Sequence, residues 1–178
     1  NARRYSTGAR VFHWVIAVLV IANWQIAERA EALDMPAKIE MFGYHKAVGI
    51  MILVLTLGRL LWRFTHPVPP LPATISGWEA ALARTVHVVF YVLLIGLPLG
   101  GWLANSLSGR DIEMFGLFTI PPLPVGENGD LAGRIFDAHA LGGTVFLALI
   151  VLHVLGALKH TFVDRSGGIF RMLPFGRA

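Results

Sequence analysis

Residues 138–158 read AHALGGTVFLALIVLHVLGAL, and Asp137 and Lys159 bracket these 21 positions, none of which carries a formal charge. An α-helix needs about 20 such residues to cross a hydrocarbon core about 30 Å thick. His139 stands at the start of the run and His153 fourteen positions further on. At about 100° and 1.5 Å per residue, the two side chains point about 40° apart and lie roughly 21 Å apart in height. Both therefore look out of one face, one near each membrane surface. Ala140, Gly142, Gly143, Ala148, Gly156 and Ala157 keep the same helix slim and leave room for a bulky group or a close neighbour. Imidazoles inside a span are costly and point to function.

The whole composition agrees with a membrane bundle. Of 178 residues, 55% are apolar and 15% charged, with a mean hydropathy of +0.63, so one bundle uses the full length. The chain has no cysteine, which excludes disulfides, thiolate zinc sites, iron–sulfur clusters and covalently attached c-type haem. The net charge of +4 does not indicate nucleic acid, because its sign alternates between loops as topology requires. The first apolar run follows arginines but lacks a small-residue cleavage site, so no cleavable signal is expected.

Three further spans precede the last. The first covers 11–27, with His13 just inside it and Trp14 and Trp24 as belts at its ends. The second covers 41–64 if Lys46, Arg59 and Arg63 snorkel or pair, with His45 near its start. His66 and the proline-rich run 67–72 end it and make a stiff, extended connection. The third covers 85–107, with His87 near its start and Pro98 as an expected kink. A long loop with Pro121, Pro122 and Pro124 leads to the fourth span, 138–158. The expected fold is an all-α membrane protein, a four-transmembrane-helix bundle forming one domain over 1–178. Arg3, Arg4 and Arg10, the second loop and the tail are basic, whereas Glu28, Glu31, Asp34 and Glu40 make the first loop acidic. Positive-inside then puts both termini in the cytoplasm.

Depth sorts the histidines into two pairs, His13 with His153 towards the cytoplasmic side and His45 with His139 towards the other. Two imidazoles on facing helices can ligate a haem iron from both sides, and a closed bis-histidine site favours electron transfer. Interhelical hydrogen bonding explains a lone intramembrane histidine, but not four that pair by depth. A zinc or copper path is the other metal reading, although the spans contain no carboxylate to complete it. Haem fits better. His87, at a depth close to His13 and His153, stays open as a substitute ligand.

Several stretches carry a resemblance: Arg10-Val11-Phe12-His13-Trp14, Tyr44-His45-Lys46-Ala47-Val48-Gly49, Arg59-Leu60-Leu61-Trp62-Arg63 with the prolines after it, His139 with His153, and Arg171-Met172-Leu173-Pro174. They resemble the bacterial cytochrome b561 family over nearly the whole chain. Length and segment order are most similar to the branch that includes superoxide oxidase. The resemblance implies two b-type haems, with His13, His153, His45 and His139 as axial ligands. It also implies electron transfer from superoxide to ubiquinone in a bacterial inner membrane.

The same resemblance makes His87 a neighbour of the cytoplasmic haem and places Lys159 and His160 near a quinone. Lys159 stands where that oxidase has a histidine. Arg59 and Arg63, four apart on one helix face, suit haem propionates, and plain anchoring is the alternative. Lys46, beside His45, suits attraction of superoxide. Trp62, Trp78 and Trp102 are read as belt or packing residues. The expected activity is that of a membrane oxidoreductase, superoxide:ubiquinone oxidoreductase. Its alternatives are a non-enzymatic dihaem carrier serving a protein redox partner, and a haem-free metal-binding or structural membrane protein.

Overall fold

The computed structural model describes residues 4–178. Its long helices are α1 (Thr7–Glu31), α2 (Ala37–Thr65), α3 (Gly77–Leu107) and α4 (Gly129–Leu158). Each is long and apolar enough to cross a membrane. With 25 to 31 residues at about 1.5 Å each, they outreach a hydrocarbon core about 30 Å thick. The charge-free runs are shorter because charge marks where hydrocarbon ends, whereas capping marks where the helix ends. Ser6 accepts from the amide of Ala9 to start α1. Ser76 and Glu79 form a reciprocal capping box on α3. Asn128 accepts from the amide of Leu131, so α4 starts well before Ala138 and carries Asp130, Arg134 and Asp137 in its first turns.

Helix α1 packs along α2, α3 along α4, and α2 against α3. The core between them is small: Ile16, Val48, Ile52 and Leu94, flanked by Phe12, Leu19 and Phe146. Gly142 lets α4 approach α3, since a Cβ there would lie 2.7 Å from Leu97 Cδ2. Among the described residues α4 makes no comparable packing with α1 or α2. That leaves a gap across which the histidine rings reach.

The connection after α3, expected to be a plain loop, contains a hairpin of β1 (Ile112–Met114) and β2 (Phe118–Ile120). Three-residue strands are too short for their alternation to be read in advance. Ile112 and Met114 turn inward onto Ala47 and Ile50 of α2, while Glu113 stays outside. The Asn105 amide ties the hairpin's approach to α3 by donating to the carbonyls of Arg110 and Asp111.

The opposite face is closed by the C-terminal tail. Trp14 Nε1 donates to the Met172 carbonyl at 2.8 Å, and Arg4 donates to those of Pro174 and Gly176. The buried Arg171 guanidinium donates to the carbonyls of Pro69 and Pro70, and lies over the Tyr5 ring. Arg171 thus binds the tail, the chain's start and the proline-rich connection together. The bundle thus has a hairpin face at one end and a tail face at the other.

Candidate functional site

At the hairpin face, His45 of α2 and His139 of α4 meet with ring centroids 6.1 Å apart. His45 Nδ1–H donates to the backbone carbonyl of Asn23 at 3.1 Å. A carbonyl only accepts, so this bond places the proton on Nδ1 and leaves the Nε2 lone pair free for a metal. His139 lies against Gly101 of α3, where a Cβ would stand 3.3 Å from its Cε1. The rings border an open cavity that Lys46, Gly49, Trp102 and Ile112 help to line. Arg110, just beyond α3, is close enough to Lys46 for their charges to interact.

At the tail face, His13 of α1 and His153 of α4 stand 6.2 Å apart, and His87 of α3 stands 5.8 Å from His153. Phe90 contacts His153 edge-on. Arg59 lies within electrostatic reach of all three histidines. Both Arg59 and Arg63 point their guanidinium groups at Tyr91, at 5.6 and 5.8 Å from the ring centroid. Among the described residues neither arginine pairs with a carboxylate.

These distances test which group fits. Two imidazoles bound in line to one metal at about 2 Å each put their ring centroids a little over 6 Å apart. Both pairs have that spacing. Among the described residues no three His, Asp or Glu side chains converge as a metal site, so a tetrahedral zinc or copper site has too few donors. Two opposed imidazoles without a third donor suit an iron already held in a plane of four nitrogens. The unpaired arginines nearby suit that ring's carboxylates.

At the tail-face end of α4 the chain tightens into a π-helical turn, Lys159–Val163. Lys159 Nζ donates to Glu79 and to Asp164, the latter at 3.0 Å. His160 Nδ1 is hydrogen-bonded to Asp164 at 2.7 Å. Lys159, then His160, hold the Asp164 carboxyl below its usual range. Lys159 is thus committed to a latch between α3 and α4, and His160 keeps its second nitrogen for another partner. Trp62 stacks on His66 with centroids 3.8 Å apart and donates to Ser6, which makes it a packing residue between α1 and α2.

Sequence reasoning passed over Tyr91, Asn23, Glu79 and Asp164. Tyr91 lies four residues after His87 and so on the same helix face, a signal that was readable. The Asn23 contact runs through a backbone carbonyl, which no side-chain pattern encodes.

A bundle of membrane-spanning helices with imidazoles opposed in pairs defines a membrane cytochrome. The chain matches the family model described as prokaryotic cytochrome b561 over residues 4–175. It is 33% identical to a Yersinia pestis protein named "Probable superoxide oxidase CybB", over 97% of both chains. It is 31% identical to "Cytochrome b561 homolog 2" of Escherichia coli, over 96% of this chain and 91% of that one. A second Escherichia coli protein, "Cytochrome b561 homolog 1", is 27% identical. The chain belongs to the prokaryotic cytochrome b561 family. It is accordingly a bacterial membrane oxidoreductase with b-type haem that carries electrons across the membrane.

Proposed function

We propose that this protein is a superoxide:ubiquinone oxidoreductase working through two b haems, one held by each histidine pair. The reading rests on the two opposed imidazole pairs, with centroids 6.1 and 6.2 Å apart, one towards each face. The haems supply one-electron carriers at two depths, roughly 21 Å apart by helix rise. His45 and His139 hold one iron; His13 and His153 hold the other. With both imidazoles of a pair as its ligands, a haem held there would be suited to electron transfer rather than oxygen binding. The Asn23 carbonyl fixes the His45 ring, and Arg59 and Arg63 bind propionates. His87 stays beside the tail-face haem as a neighbour.

Superoxide is an anion, and Lys46 with Arg110 draws it towards the cavity on the hairpin face. Each superoxide gives up one electron and leaves as O₂. Ubiquinone takes two electrons and two protons to become ubiquinol, so two superoxide ions are consumed per quinone. His160, bonded to Asp164, supplies protons to a quinone bound at the tail face. The basic residues of the tail face support a cytoplasmic position for both termini, in which the hairpin meets periplasmic superoxide. The name of the Yersinia pestis relative supports the same substrate.

Stopped-flow mixing of the oxidised, reconstituted protein with superoxide and ubiquinone tests the reading. Rapid haem reduction followed by ubiquinol formation is expected. Slow reduction by superoxide, with rapid reduction by a protein donor, would replace it with the carrier reading. A pyridine haemochrome assay is expected to give two b haems per chain, and one or none would overturn the site assignment.

A further inference from the structure

The hairpin lies beside the bundle rather than on top of it. Its Ile112 and Met114 cover Ala47 and Ile50 of α2, and Ala47 is 1% exposed. Val54, two turns further along the same face, is 62% exposed. The strands therefore cover α2 at one level only, and the helix surface beyond them is left to lipid. That level is the membrane boundary. Lys46 is the last charge on α2 before Arg59, and Arg110 is the first after α3.

At this height the hairpin tip is apolar. Phe115 is 46% exposed, Leu117 82% and Phe118 58%. Phe115 stacks on Tyr44, with centroids 6.3 Å and planes 17° apart. Tyr44 is itself exposed on α2, as an interfacial aromatic is. The pair Glu113 and Thr119 occupies the other side of the ribbon. The ribbon is thus amphipathic: Ile112, Met114 and Phe118 share the side towards α2, Glu113 and Thr119 share the other, and the exposed apolar turn joins the two strands. In water, three large apolar side chains at one turn would form an unsupported patch.

We propose that the tip Phe115–Phe118 inserts into the headgroup–acyl boundary of the bilayer and anchors the hairpin there. Ile112 of the same hairpin lines the cavity beside His45 and His139. Lipid therefore holds one wall of that cavity in place, and the seating of the hairpin sets how far it stands open on that side.

The chain has no cysteine, so Leu117→Cys and Thr119→Cys each give one labelling position, both exposed. The intact haem-loaded protein, nitroxide-labelled and held at one copy per lipid nanodisc, is tested by power-saturation electron paramagnetic resonance. Oxygen, which concentrates in lipid, competes with a water-soluble nickel chelate. The ratio of oxygen to nickel accessibility is expected to be several-fold higher at 117 than at 119. A Phe118→Cys variant should follow position 117. Equal ratios, with nickel reaching 117 freely, would overturn the proposal. Shielding of 117 from both reagents would also overturn it, by showing that protein covers the tip.

Discussion

Gly101 offers the most selective perturbation of one site. A Cβ at this position would stand 3.3 Å from His139 Cε1 and 3.6 Å from its Nδ1. Ordinary carbon contacts begin at about 3.5 Å, so Gly101→Ala pushes the ring by a few tenths of an ångström. An imidazole bonded to iron absorbs that by tilting. Overpacking of this kind costs about 1–3 kcal/mol, or roughly 5- to 150-fold in retention of the group it displaces. Gly101→Leu adds a branched side chain in the same place and leaves the ring no room. The assay is haem content with low-temperature electron paramagnetic resonance, which distinguishes the two low-spin centres. Gly101→Ala should shift one signal and spare the other, and Gly101→Leu should retain one haem of two. Gly133→Ala, with nothing within 4 Å of its Cβ, is the control. Two haems with unaltered signals in Gly101→Leu would refute the placement of His139 against α3.

Other outcomes follow from the same geometry. His13→Ala and His139→Ala should each lower the haem content to one per chain, whereas His87→Ala should keep two; loss of a haem in His87→Ala would make it a ligand of the His153 iron. Lys46→Ala should slow superoxide-driven haem reduction several-fold at low ionic strength and converge with wild type at high salt; equal rates in dilute buffer would remove Lys46 from the entry path. Asp164→Asn should lower the thermal midpoint at neutral pH by removing the carboxylate that holds Lys159 and His160 at the end of α4, leaving Lys159 only its Glu79 partner on α3. Because Asp164 is held below its usual range, its stabilisation is complete above the ordinary carboxyl pKa and fades as pH falls through the lowered value. The gap between variant and wild type should therefore close in acid, and a gap that widened there would reverse the assignment.

Much of this protein was open to inspection in the chain itself. Charge-free runs as long as a bilayer is thick are a property of local composition, and the fourteen-residue spacing of His139 and His153 follows from helix geometry alone. Depth along each span then suggested which histidines share a level, because a membrane aligns helices along one axis. The motifs around His13 and His45 carried the family. What a single axis cannot supply is the arrangement across it. Only the tertiary structure leaves α4 standing off from α1 and α2 with imidazoles across the gap, and it brings His87 as near to His153 as His13 is. It also makes Lys159 and Arg171 ties between segments remote in sequence. The Asn23 carbonyl and the hairpin wall at Ile112 had no signature to read. The first is a backbone contact, and the second is a strand too short for its alternation to stand out. Composition along the chain set which helices cross the membrane; packing between them decided what the crossing can hold.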